Sequence, residues 1–369
     1  MLSLDRKTND TSIALDALRA IAAQAVCVGH GFSFFGVADW LRPPRFPFIQ
    51  NIGVLIFFIM SGFLITATLL RSSAKLDYGF GRYFIDRFAR IYSGLLPALA
   101  LVIIVDGLTI WLVSAPTIAR YYDLKTFLAN LVMLEGYRGI LANRLQWSAF
   151  GSDSPLWTLA IEWQIYMFVG AVFFLLKKRG TWLLLVPVAL FSGQTALHFL
   201  FGAFQGDGVG QGLFALWLGG AVLYLLLTRY VPPLWISIPL SVLAVCAYGY
   251  AIVPGHEYDM ATYPALVLSV GSLIAISQKT NALRNARVVE VIRTAADYSF
   301  TLYLIHHTIM FAVVAIFPDA RGWIWFCATV LTANLIAYLI ARPTEMRHRD
   351  FAAWLLNIRY GSRAAEAPG

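Results

Sequence analysis

The chain has 369 residues, 59% of them hydrophobic and only 13% charged, with a mean hydropathy of +0.69. Soluble domains carry charged residues at about 25%, so a soluble globular chain is excluded. The net charge of +8 comes from basic residues lying between apolar runs and not in an aromatic-interleaved stripe, which excludes a nucleic-acid partner.

Apolar runs about 18 to 22 residues long recur along the chain, the length a helix needs to cross about 30 Å of hydrocarbon. They predict about ten spans, at 13–34, 51–70, 91–113, 154–176, 181–200, 211–227, 235–253, 262–278, 298–317 and 323–341. Lipid offers the backbone no hydrogen-bond partner, and the runs lack the period-2 alternation of barrel strands. The predicted fold is therefore all-α: a polytopic integral membrane helix bundle, one transmembrane domain over 1–345 followed by a cytoplasmic C-terminal tail, 346–369. The last stretch, from Arg359 on, reads as disordered.

At the N-terminus Arg6 and Lys7 precede an apolar run in the manner of a signal peptide, but Asp16 and Arg19 inside it predict a retained first span. With that end inside, the Lys and Arg residues of 71–90, 177–179, 279–293, Arg229 and the segment from Arg342 all fall on the cytoplasmic side. This asymmetry predicts both termini in the cytoplasm. Residues 71–90 form a basic cytoplasmic loop, and 114–153 form a polar outer stretch with a short amphipathic helix around Leu124 to Leu134. The glycine-rich 202–212 lacks a Gly-Lys-Ser/Thr ending and reads as a connection, not a nucleotide loop. Asn9-Asp10-Thr11 fits a glycosylation sequon but is expected in the cytoplasm, a chance match. Cys27, Cys246 and Cys327 lie far apart in apolar runs, which argues against a disulfide framework and a Cys-based metal site.

Ionisable side chains cost a few kcal/mol each inside the bilayer, so those retained in the spans are the candidates for function. Arg19 and His30 share the first span. Eleven residues apart, they return to within about 20° of one helix face, about 16 Å apart in depth. The bland reading pairs Arg19 with Asp16 and gives His30 a helix–helix hydrogen bond. The sharper one adds Glu162, at a depth comparable with His30 in the fourth span, with Tyr166 one turn further on the same face. A carboxylate beside a neutral His sets its tautomer and strengthens it as a base. His306 and His307 lie mid-membrane in the ninth span as a relay, a substrate contact or a packing hydrogen bond. No HExxH or equivalent spacing is present, nor a GxSxG nucleophile elbow, so no metal site is expected. Ser61, in FFIMSGFLI, belongs to a small-residue pair suited to close helix packing.

Arg19 with His30, FFIMSGFL at 57–64, Arg87 and Arg90 in DRFARIY, Glu162 and Tyr166 in PLWTLAIEWQIYMF, and Tyr303 and His306 in SFTLYLIH together resemble membrane-bound acyltransferase family 3, many members of which O-acetylate bacterial surface polysaccharides. The resemblance covers essentially the whole chain. It implies an O-acyltransferase that takes an acyl group, usually acetyl, from cytoplasmic acetyl-CoA or another acyl-CoA to a hydroxyl of a cell-surface or lipid-linked saccharide, in the bacterial inner membrane. Within it, Arg19, Arg82, Arg87 and Arg90 are expected to hold the donor, His30 to act as general base or acyl carrier with Glu162 orienting it, and Tyr166, Tyr303 and His306 to line the acceptor side. The chain departs from the pattern in the proline after the RxxR tyrosine, displaced to Pro97, and in Trp163-Gln164 after Glu162. It would be the stand-alone form, without an appended hydrolase domain. Membrane lipid surrounds it, and a homo-oligomer or polysaccharide-assembly partners are compatible with the reading. Two alternatives stay open at this point: a transporter or flippase of a lipid-linked saccharide or small molecule, and an acyltransferase acting on a lipophilic acceptor such as a macrolide.

Overall fold

The computed structural model describes residues 9–137, 141–192, 211–281 and 285–361. Among them, the structure is helical, and nine helices are long and apolar enough to cross a membrane. The described residues fall into two compact units, one drawn from Met1–Leu70 and Ala203–Ser299, the other from Arg71–Gly202 and Phe300–Gly369.

The first unit contains α1 (Thr11–Phe35), α2 (Ile49–Ser72, whose last two residues belong to the second unit), α6 (Gln211–Arg229), α7 (Leu234–Ala251), α8 (Tyr263–Lys279) and α9 (Ala286–Asp297). Lipid provides no hydrophobic drive between helices, so close backbone approach at small residues does the packing. Ser61-Gly62 on α2 shows this: a Cβ at Gly62 would come within 1.8 Å of the Trp217 carbonyl oxygen, and one at Gly220 on α6 within 2.0 Å of that of Ile59. The Trp217 indole N–H donates to Ser61 Oγ at 3.1 Å across the same contact. The packing role expected of Ser61 is therefore observed. α7 lies along α8, which also meets α1 and α6, while α9 lies along α1. The start of α1 is tied to the end of α8: Asp10 N donates to the carbonyls of Ser277 and Thr280 at 3.1 and 3.2 Å. Buried Glu257 accepts from Phe48 N, Asn51 Nδ2 and Gly255 N at 2.8, 2.9 and 2.7 Å. A carboxylate there satisfies backbone donors at the entry to α2.

The second unit contains α3 (Phe80–Val113), α4 (Leu124–Leu131), α5 (Leu156–Leu176), α10 (Ser299–Ile316, whose first residue belongs to the first unit), α11 (Trp323–Ala341) and α12 (His348–Tyr360). α4 forms where the sequence predicts an amphipathic helix, capped by Asp123, whose carboxylate accepts from Lys125 N and Thr126 N at 2.9 and 3.1 Å. Trp111 and Leu331 are 79% and 70% exposed. In water such side chains would be driven together; in hydrocarbon they are matched to their surroundings.

Two expectations are corrected here. Residues 71–90 are not a loop throughout: α3 begins at Phe80, so Arg82, Arg87 and Arg90 stand on its first three turns. Its 34 residues make a rod about 50 Å long, about 20 Å more than the hydrocarbon needs, so the basic turns can extend beyond the apolar layer. Nor is the C-terminal segment simply a tail. It folds as α12, a helix lying along α3, and Arg359 and Tyr360 are its last residues; residues 362–369 lie outside the described residues. The span expected at 181–200 begins as a turn, Trp182–Leu184, and a short helix, Leu185–Leu190; from 193 it lies outside the described residues, as does nearly all of 202–212.

Candidate active site

Arg19 and His30 occupy α1 in the first unit, both half-buried. Arg19 Nη2 stands 3.6 Å from Asp16 Oδ1, the one-turn pair foreseen in the bland reading. At the other end of the stripe Gly29 brings α1 onto the first turn of α2: a Cβ there would meet Gln50 Oε1 at 2.2 Å and Gln50 N at 2.9 Å. The backbone beside His30 is held by this contact.

The remaining candidates lie in the second unit. Glu162, half-buried on α5, accepts a short hydrogen bond from the hydroxyl of Tyr166, one turn along. The backbone carbonyl of Tyr166 in turn accepts from the Tyr83 hydroxyl on α3 at 3.0 Å, and the Tyr83 ring fills the space a Cβ at Gly170 would need. Both Glu162 and Arg87 act electrostatically on Tyr83. A continuous set of contacts therefore joins the basic turns of α3 to the Glu162 carboxylate on α5.

The three arginines of those turns differ in their engagement. Arg82 Nη1 donates to Asp77 Oδ2 at 2.6 Å, and its guanidinium lies over the Tyr360 ring. Arg90 Nη1 lies 3.2 Å from Oε1 of buried Glu345, an ion pair without hydrogen-bond alignment, and its guanidinium rests on Phe300. Glu345 Oε2 accepts from Thr301 N and Oγ1 at 2.9 and 2.8 Å. Arg87 makes neither a hydrogen bond nor an ion pair among the described residues, although its Nε is buried.

Tyr303 and His306 line α10. The Tyr303 hydroxyl is hydrogen-bonded with Thr158 Oγ1 on α5, one turn before Glu162, and donates to the Pro155 carbonyl at 3.2 Å. His306 is wholly buried, with Nδ1 3.0 Å from the Leu302 carbonyl and its ring 6.2 Å from that of Tyr303. His307 Nδ1 lies 2.6 Å from the Ser152 carbonyl. A carbonyl only accepts, so each Nδ1 carries its hydrogen. α10 thereby positions Tyr303 against the segment of α5 that presents Glu162.

Sequence reasoning passed over Glu345, the partner of Arg90, and an acidic group at the far end of α3. Asp106 accepts from Ser152 N and Oγ at 2.7 and 2.8 Å, and Ser152 Oγ bonds Thr308 Oγ1 at 2.9 Å. Asp106 lies within the predicted span 91–113, where the rule for intramembrane acids already applied. Glu345 carried no such signal, because nothing in residue spacing relates position 345 to position 90. Among the described residues no group of three His, Cys, Asp or Glu could hold a metal ion.

A family model described as an acyltransferase domain matches residues 12–342. Nodulation protein 10 of Rhizobium leguminosarum bv. viciae is 24% identical over 388 aligned positions, covering 93% of this chain and 96% of that protein. The O-acetyl transferase of Shigella phage Sf6 is 26% identical over 182 positions, 48% of this chain and 50% of the phage protein. No solved structure matches this chain.

Proposed function

Because the chain belongs to this family of membrane acyltransferases, we propose that it transfers an acyl group, in the simplest case acetyl, from cytoplasmic acyl-CoA to a hydroxyl of a cell-surface or lipid-linked saccharide. That it is a multi-pass membrane protein and an O-acyltransferase follows from its helices, the family model and its O-acetyl transferase relative. The donor, the acceptor and placement in the bacterial inner membrane are the proposal.

The observation that carries it is the pair of hydrogen bonds from Tyr83, on the basic turns of α3, to the Tyr166 carbonyl and from the Tyr166 hydroxyl to Glu162, which joins a basic helix end to an acid retained in a spanning helix. Guanidinium groups bind phosphates in planar, paired hydrogen bonds, so the nucleotide end of the donor suits the start of α3. Arg19 would guide the pantetheine arm, and His30 would receive the acceptor proton. In the step itself the acceptor oxygen attacks the thioester carbonyl as His30 removes its hydrogen. The carbon–sulfur bond then breaks, and the coenzyme A thiolate leaves and takes up a proton. The bond from Tyr166 holds the Glu162 carboxylate in place. Tyr303 and His306 shape the acceptor side, Tyr303 through its hydroxyl bridge to α5.

The test is transfer from radiolabelled acetyl-CoA to candidate glycans by the purified protein in nanodiscs. General-base catalysis contributes about 100- to 10,000-fold, and His30→Ala should lower kcat by that order. Undiminished transfer by the variant would remove His30 from the chemistry. Saccharide movement across liposomes without acyl transfer would replace the whole reading with transport.

A further inference from the structure

α12 runs antiparallel to the basic start of α3. Glu345, just before the helix, meets Arg90; the Phe351 ring lies tilted at 6.3 Å from that of Phe88; the Tyr360 hydroxyl lies 2.7 Å from where a Cβ on Gly81 would stand. The helix therefore lies alongside the three turns that carry Arg82, Arg87 and Arg90. It also brings charge of its own. The guanidinium groups of Arg90, Arg349 and Arg87 all act on the His348 imidazole. His348 Nδ1 lies 2.8 Å from the Glu345 carbonyl and must donate to it, so Nε2 donates to a phosphate only when the ring takes up a second proton as the anion binds.

The acids around this cluster are already engaged. Asp86 Oδ2 accepts from the Tyr78 hydroxyl at 2.8 Å, Asp77 holds Arg82, and Glu345 is shared by Arg90 and Thr301. Arg87 has no ion-pair partner among the described residues, and Arg349 is exposed. Asp86 acts on Arg87 without reaching it as an ion pair, and a bound phosphate gives each free guanidinium a paired acceptor.

We propose that Arg87, His348 and Arg349 form the phosphate-binding cluster of the donor site, so that the C-terminal helix is one wall of it. Arg90, locked to Glu345, is a positioning residue that docks the start of α12 against α3 and α10. This rests on the acyl-CoA reading above. The shared chemistry is a phosphate ester, which an anionic lipid headgroup also presents, and the experiment separates the two sources.

Coenzyme A and 3′-dephospho-coenzyme A are titrated onto the full chain in phosphatidylcholine nanodiscs, for wild type, Arg87→Ala, His348→Gln and Arg349→Ala, and KM for acetyl-CoA is measured beside kcat. Hydrogen bonds to charged groups are worth about 1.5 to 3 kcal/mol, so the Arg87 and His348 variants should each weaken coenzyme A binding by roughly 10- to 100-fold and raise KM more than they lower kcat. At least one variant should lose less affinity for the dephospho form. Arg349→Ala touches only an exposed side chain, so it keeps the test open if a more buried variant fails to fold. Wild-type turnover with unchanged coenzyme A affinity in folded variants overturns the cluster and spares the function. Wild type that neither binds nor turns over acyl-CoA overturns both. Loss of phosphatidylglycerol binding by the variants, with coenzyme A affinity intact, assigns the cluster to lipid and overturns the proposal.

Discussion

Asp153 is wholly buried in the loop before α5, and neither of its carboxylate oxygens has a hydrogen-bond partner among the described residues. Burial, and then the charge of Asp106, pushes its carboxyl well above the usual carboxylate range; Glu135, buried nearby, is raised by burial and by Asp153. A carboxyl raised in the folded state binds its proton more tightly there than in the unfolded chain. Its contribution is therefore favourable at low pH and is lost as pH climbs from the unfolded value, about 3.9, through the raised folded value. Asp153→Asn imitates the protonated acid, so melting temperatures across a pH series should fall less steeply with rising pH in the variant than in wild type. Equal slopes would mean that Asp153 is ionised and paired in the fold. The contrast with Asp106 shows what was legible at this scale. An acid in an apolar run announces its cost, whereas burial of a loop acid such as Asp153 or Glu135 depends on what the loop folds against.

At the scale of elements, the contact between α2 and α6 rests on glycine. A side chain at Gly220 would strike the Ile59 carbonyl and the Phe63 amide, backbone atoms that move only if the helices part. Gly220→Leu should lose about 2 kcal/mol, in the range of overpacked cores, seen as a lower thermal midpoint in detergent. Gly249→Ala, on α7 with nothing within 4 Å of the added carbon, serves as the neutral control. Equal midpoints for the two variants would show that α2 and α6 do not rely on this approach. The small-residue pair at Ser61-Gly62 was readable because its chemistry permits close packing, but its partner on α6 was not, since Trp217 lies 156 positions away. α3 was read short, and α12 as a tail, for a related reason. Hydropathy reports where a helix is greasy, and the amphipathic turns at Phe80–Arg90 and His348–Tyr360 continue or dock helices through aromatic contacts such as Phe88 with Tyr92 and Phe351 with Trp354.

For the whole molecule, nine helices among the described residues are long and apolar enough to span, and the expected further span at 181–200 runs past them. The parity of spans decides whether the two ends share a side. The Lys and Arg bias of the connections predicts that they do, both in the cytoplasm. Single cysteines at Ser3 and Gly361, in a background where Cys27, Cys246 and Cys327 are replaced, should both resist an impermeant maleimide in intact cells and react after permeabilisation. Labelling at only one end would establish an odd number of spans.

Composition and the length of the apolar runs were sufficient for the all-helical membrane fold, because hydrocarbon leaves the backbone no alternative. The order of motifs was sufficient for the family, which the acyltransferase model then matched over residues 12–342. Which arginines are already spent on acids was settled only by tertiary structure. Arg82, Arg87 and Arg90 look alike along the chain, and the carboxylate of Glu345 reaches Arg90 solely because the C-terminal segment folds back along α3. Charge is written in sequence, but pairing is a matter of distance, and distance between remote residues exists only in the fold.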